Sequence, residues 1–207
     1  MYDSIIEVFD YRYLNPFAQV TRTKANLPHW RQKEVTYFVT FRLADSLPQE
    51  KLSKLKIERE NWLLKNPKPH DRRQIEEYYD LFSTRVEEWL DAGEGNCFLR
   101  YPVYRDSVID SLTYFDKKRY DLGAYMVACN HVHVLVSPFE GNSLSSIIHS
   151  WKSFSAKQIN RNLKRSGALW QKEYYDHIVR SAQAASKIEK YIQNHAEYVE
   201  AASSRLL

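Results

Sequence analysis

Cysteine is scarce in this chain of 207 residues, which contains only Cys97 and Cys129, far apart and in no C-x-x-C pair. That excludes a disulfide-stapled scaffold and a cysteine-rich zinc module. Two thiols suit a reducing cytoplasm, which is the expected location. Glycine (5) and proline (7) are also few, so collagen-like and low-complexity chains are excluded. No apolar run reaches the ~18 residues of a membrane span, so no transmembrane helix and no membrane partner are expected. Met1-Tyr2-Asp3-Ser4-Ile5-Ile6-Glu7 lacks a basic region ahead of an apolar one, so no secretory signal is expected.

Aromatic residues are plentiful at 14%, with 15 Tyr and 5 Trp. They fill cores, and they also offer faces on which unpaired bases stack. The net charge is only +4, with a pI near 8.9. Its distribution says more. Between Gly141 and His195 stand Lys152, Lys157, Arg161, Lys164, Arg165, Lys172, Arg180, Lys187 and Lys190, against Glu173, Asp176 and Glu189. A local excess of this kind suits either a polyanionic partner or a solvated helix face.

The length suits one α/β-type domain carrying an extension or an insertion. Residues 1–32 show no sustained periodicity and read as an N-terminal arm. Glu34 to Leu43 is rich in β-branched and aromatic residues and reads as a strand. Residues 49–92 have helical spacing and break at Asn66-Pro67-Lys68-Pro69, which predicts a helical pair inserted into the domain. Asn96 to Arg100 reads as a short extended piece. A helix follows over Arg105 to Lys118, a strand over Tyr120 to Cys129, and a helix over Ser143 to Leu163. Ala168 to Val179 reads as partly extended, and Ala182 to Ala201 as a last helix. Without the insertion this order is close to β-α-β-β-α-β plus one helix. It predicts an α+β fold of ferredoxin-like (RRM-like) type, an antiparallel sheet with helices on it. The main domain is expected over 33–201, with 202–207 as a tail.

The most informative stretch is Asn130-His131-Val132-His133-Val134-Leu135-Val136. Its alternation predicts a strand with the valines on one face and both histidines on the other. Two imidazoles side by side make a pair of ligands for a divalent metal, or two ordinary polar-face histidines. In the last helix Ile188, Tyr191, Ile192, His195, Tyr198 and Val199 form one stripe, with Tyr191 and His195 one turn apart. If the stripe faces the histidine side of the sheet, His195 completes a three-histidine set beside Tyr191. By pattern alone, a core role for both residues is the favoured reading.

Here the chain resembles a family. Asn130 to Val136 resembles the core motif of the single-tyrosine HUH (His-hydrophobic-His) transposases. Four further stretches resemble the branch associated with repetitive extragenic palindromes (REP). They are Tyr37 to Leu43, Ser150 to Ala156, Leu169 to Arg180, and Tyr191-Ile192, in the family's order and over roughly residues 34–200. The resemblance implies His131 and His133 as metal ligands and Tyr191 as nucleophile. It implies Mg²⁺ or Mn²⁺ as cofactor and single-stranded or hairpin DNA as partner. The reaction implied is transesterification through a 5′-phosphotyrosine, by a monomer or a homodimer. His195 falls where the family usually has Asn or Gln as third ligand, a departure. Three imidazoles favour Mn²⁺ over Mg²⁺. Expected DNA contacts are Lys152, Lys157, Arg161, Lys164, Arg165, Gln171 and Arg180, with Trp170 and Tyr174 as stacking platforms or Trp170 as core. Arg180 either meets phosphate or pairs with Asp176. A non-cleaving hairpin binder and a metal-dependent phosphodiesterase are the alternatives.

Overall fold

A computed structural model of the chain describes residues 9–24, 28–69 and 71–204. The arm is not merely extended. It carries an antiparallel hairpin of β1 (Thr21–Lys24) and β2 (Pro28–Arg31). Strands of four residues are too short to show alternation, which hides this hairpin from pattern reading. It is anchored by contacts far away in sequence. His29 and Arg31 both bind the carboxylate of Asp176, and Arg31 donates to the Tyr174 hydroxyl at 2.9 Å.

The strand predicted over Glu34 to Leu43 forms as β3 (Tyr37–Arg42). Next comes the helical insertion. It consists of α1 (Gln49–Lys65), then α2 (Arg72–Tyr78), running through a π-helical turn at Tyr79–Thr84 into α3 (Arg85–Asp91). The two prolines after Asn66 end α1, because a proline cannot donate to the helix and pushes its predecessor out of helical geometry. Trp62 packs edge-on against Tyr78 and Phe82, at 5.2 and 6.4 Å between ring centroids. Glu58 accepts from Arg85 at 2.6 Å.

After the insertion the expected extended piece is instead a 3₁₀ turn, Phe98–Arg100, preceded by Cys97 in a left-handed conformation (φ 48°). Then follow α4 (Pro102–Thr113), β4 (Tyr120–Val127), β5 (His131–Pro138), α5 (Leu144–Asn162), β6 (Tyr175–Ile178) and α6 (Ala182–Ser204). Ser143 caps α5 by accepting from the Ser146 amide at 3.2 Å. The sheet order is β4-β5-β3-β6, with every neighbouring pair antiparallel. This is the α+β architecture that the element order implies. Among the described residues, no helix is long and apolar enough to cross a membrane.

The pleat divides the sheet into two faces. Val39, Phe41, Val132, Val134 and Val136 meet Val108 and Leu112 of α4 and Ile147, Ile148, Trp151 and Ile159 of α5. On the opposite face Phe38, Met126 and Leu135 meet Ala185, Ile188, Tyr191 and Ile192 of α6, together with Tyr11 and Tyr13 of the arm. Central strands β3 and β5 are thus covered on both sides. Trp151 anchors the first face. It is 1% exposed, and its indole donates to the Tyr120 hydroxyl at 2.8 Å. Trp151→Ala should cost about 3–5 kcal/mol of unfolding free energy. Urea denaturation will read it, and a loss under about 1 kcal/mol would contradict this packing account.

Candidate active site

β5 sets His131 and His133 on one face, both buried, with ring centroids 4.6 Å apart. Each ring is held at Nδ1. His131 Nδ1 lies 2.7 Å from Asn130 Oδ1, while the Asn130 amide nitrogen donates to the Glu94 carbonyl at 3.0 Å. The second bond fixes Oδ1 as an acceptor, so His131 is protonated on Nδ1 and keeps a lone pair on Nε2. His133 Nδ1 lies 2.8 Å from Thr40 Oγ1, directly across the ladder on β3. With that hydroxyl accepting from Nδ1, Nε2 keeps its lone pair too. Burial, helped by His195, lowers His131 to about 3. Burial first, then His131 and His195, lowers His133 as well. Both rings are therefore neutral near pH 7, the form that binds metals.

Sequence reading missed the third member. Asp91, the last residue of α3, reaches in from the insertion and sets Oδ1 3.6 Å from His131 Nε2. Both atoms are shielded from solvent, and neither has a hydrogen-bond partner among the described residues. A lone pair and a carboxylate oxygen facing each other in a buried gap are costly unless something positive joins them. Asp91, His131 and His133 each offer one ligand atom, and these lie within 4.8 Å of one another. Two imidazole nitrogens and a carboxylate oxygen suit a divalent ion of intermediate hardness. The orphaned pair of atoms is thus the observation that a metal fits.

His195 stands behind this set. Its Nε2 lies 2.8 Å from Asp91 Oδ2, and its Nδ1 lies 3.1 Å from the Tyr191 carbonyl. Asp91 Oδ2 only accepts, so the ring meets it through a protonated Nε2, and that nitrogen has no lone pair for a metal. In this arrangement the ligand atoms that gather are those of His131, His133 and Asp91, and His195, expected to complete the set, bonds the carboxylate. Tyr198 and Val199 of the predicted stripe lie outside the residues whose side chains are described.

Tyr191 does face the histidines, as the stripe implies. Its hydroxyl lies 3.3 Å from His133 Nε2, and its ring stands edge-on to His133 at 5.1 Å. Burial, then Glu87 and Asp91, pushes the phenol above its usual value of 10. Glu87, one turn before Asp91 on α3, is itself raised to about 7 by burial and by Asp91. Arg42 is the cross-strand neighbour of His131 on the same face.

The expected DNA contacts fare unevenly. Lys157, Arg161, Lys164 and Arg165 are exposed on or just after α5, across the sheet from the histidines. The ammonium of Lys152 donates to the carbonyls of Gln171 and Lys172, at 2.6 and 2.9 Å, so it holds a loop. Trp170 is buried, meets Phe41 edge-on at 4.9 Å and donates to Ser155 at 3.0 Å. It is a core residue with no free face for a base, which corrects the stacking expectation. Asp176 pairs with His29 and Arg31, and Arg180 is exposed. A group of aromatic rings stands beside Arg165. Arg165 lies over the Phe98 ring at 5.6 Å, Phe98 meets Tyr104 at 6.4 Å, and Tyr104 meets Tyr101 at 6.1 Å. Tyr101 is 54% exposed.

His177, on the histidine face of β6, is lowered to about 4 by burial and by Arg180. A histidine whose folded pKa is depressed takes up its proton on unfolding. Stability therefore falls as pH drops from about 6.5 towards 4. His177→Phe keeps a ring against Phe38 and removes that proton. It should flatten the fall by up to about 1.4 kcal/mol per pH unit. Urea midpoints across that range will check it, and parallel curves for the two proteins would refute it.

Residues 106–195 match the family described as "Transposase IS200 like". Among solved structures, the chain is similar to a REP-associated tyrosine transposase bound to a REP hairpin. The identity is 16%, coverage is 82% of this chain and 70% of that one, and the TM-score is 0.43. It is also similar to a candidate transposase of Deinococcus radiodurans R1, at 15% identity, 80% and 93% coverage and a TM-score of 0.33. No curated protein sequence matches the chain.

Proposed function

We propose that this chain, whose residues 106–195 match the family described as "Transposase IS200 like", breaks and rejoins single-stranded DNA at Tyr191. The observation that carries the reading is the Tyr191 hydroxyl, 3.3 Å from His133 Nε2, beside the gap between His131 Nε2 and Asp91 Oδ1. The phenol oxygen attacks a backbone phosphorus as the bond to the 3′ oxygen breaks. The products are a 5′-phosphotyrosine and a free 3′-OH. The phosphodiester bond energy stays in the covalent link, so the step reverses onto another 3′-OH. His131, His133 and Asp91 would hold a divalent cation, which supplies positive charge for a non-bridging phosphate oxygen. The protein's own part is orientation. Thr40 and Asn130 fix the two imidazoles, and His195 fixes Asp91. Packing against Phe38 and His133 holds the Tyr191 ring edge-on. Arg42 supplies a cation on the same face for the DNA backbone.

The DNA outside the reacting phosphate would lie on the Phe98, Tyr101 and Tyr104 surface, with Arg165 beside it. Tyr101→Ala should weaken binding of a single-stranded hairpin by about 1–3 kcal/mol. Fluorescence anisotropy at fixed salt will read this, and unchanged affinity would move the strand elsewhere.

The reaction is tested with end-labelled single-stranded hairpins taken from DNA flanking the gene, with Mn²⁺, run on a denaturing gel. A 3′-end label should stay on the protein and a 5′-end label should leave. Binding without either product would make the chain a non-cleaving hairpin binder. Turnover of small phosphodiesters without an adduct would make it a hydrolase.

A further inference from the structure

We propose that Cys97 and Cys129 form a redox-active dithiol, a modification site that closes to an intramolecular disulfide by exchange with a low-molecular-weight disulfide. The two residues are 32 positions apart in sequence, yet their sulfurs lie 3.0 Å apart. Disulfide closure to about 2.05 Å then needs ~1 Å of movement. The residues differ in access. Cys97 is fully buried and Cys129 is partly exposed. Cys97 also touches the Gly93 carbonyl, at 3.0 Å, and Arg100 stands beside it, donating to the Cys97 carbonyl at 3.3 Å.

Access and geometry give the order of events. A small disulfide RSSR meets Cys129 first. One S–S bond of the reagent breaks, a Cys129–SR bond forms, and RSH leaves. The Cys97 thiol, in contact with the Cys129 sulfur, then gives up its proton and attacks that sulfur, and the second RS⁻ leaves and takes up a proton. Two thiol hydrogens are lost from the protein, one S–S bond forms, and RSSR is reduced to two RSH.

The bond would tie the segment after α3 to the turn between β4 and β5. That turn already carries structural load for His131. The Leu99 amide donates to the Cys129 carbonyl at 3.1 Å. The next residue, Asn130, bonds the Glu94 carbonyl and orients His131. Drawing Cys129 towards Cys97 therefore shifts the group that sets the His131 ring.

The full chain is incubated with oxidised glutathione, alkylated and analysed by peptide mass spectrometry. The expected product is a Cys97–Cys129 linked peptide, reversed by dithiothreitol. Cys97→Ser should instead accumulate a stable glutathione adduct on Cys129, because nothing resolves it. Cys129→Ser should leave Cys97 unmodified. Free thiols in the wild-type chain, under conditions that load glutathione onto Cys97→Ser, would overturn the proposal, and so would linkage only between separate chains. Imidazole NMR signals of the oxidised chain read the coupling. A shift at His131 supports it, and unchanged His131 signals overturn that part.

Discussion

Tyr191→Phe should abolish covalent attachment of DNA while leaving folding and DNA binding near native. The substitution keeps the ring, and the ring is what packs. It stands 4.3 Å from His195, 5.1 Å from His133 and 6.5 Å from Phe38, between centroids. Among the described residues the hydroxyl's hydrogen-bond contact is with His133 Nε2. Losing it leaves that nitrogen without a partner, at a cost of about 1 kcal/mol. The catalytic loss has no such floor, because a phenyl ring has no oxygen to bond phosphorus. Adduct formation should fall below detection, a decrease of at least ~1,000-fold if general background hydrolysis sets the limit. Anisotropy should show hairpin affinity within about threefold of the wild type, because phosphate contacts by lysine and arginine carry most binding free energy. An adduct that persists in Tyr191→Phe would remove this residue from the nucleophile role.

The parts of this site that were legible in the sequence are those that depend on local periodicity. A strand of period two puts His131 and His133 on one face, whatever lies opposite. A helix puts Tyr191 and His195 one turn apart. Five ordered motifs then imply which face meets which. The same logic gave the α+β architecture, because each strand and helix of the core carries its own pattern. The parts that were not legible depend on where a distant element lands. Asp91 ends an inserted helix, and its last turn looks like any charged surface turn. Nothing in Glu87-Glu88-Trp89-Leu90-Asp91 says which acid turns inward, and the π-helical turn before it changes the helical phase. Trp170 failed in the opposite sense. Its motif placed it near basic residues, but an indole of that size beside Phe41 and Ser155 gains more from burial than from a solvent face. The His29–Asp176 and Cys97–Cys129 contacts are likewise invisible until the chain is folded.

Asp91→Ala and His195→Leu separate the two assignments of the third ligand, and they should differ in size. With Asp91 as ligand, Asp91→Ala removes a donor and the carboxylate that faces the two neutral imidazoles. Mn²⁺ affinity should fall by at least ~100-fold, above the 10–100-fold typical of an outer partner. Isothermal calorimetry or Mn²⁺ electron paramagnetic resonance reads this without any DNA present. The same change should alter the apo protein's stability little, because relief of the buried Oδ1 that faces His131 Nε2 offsets loss of the Oδ2 bond to His195. His195→Leu keeps the apolar stripe of α6 but frees Asp91 Oδ2 from its bond at 2.8 Å. Its effect on Mn²⁺ should be the smaller one, about 10-fold, since the carboxylate remains and only its orientation loosens. Asp91→Asn tests the charge separately. It keeps an oxygen donor in place, so binding should recover in part and lean less towards Mn²⁺ over Mg²⁺ than an imidazole in the same position would. If His195→Leu removes metal binding as completely as Asp91→Ala, the ring must turn and ligate when the ion enters, and the role given to Asp91 is wrong. If Asp91→Ala leaves Mn²⁺ binding unchanged, the insertion has no part in the metal site.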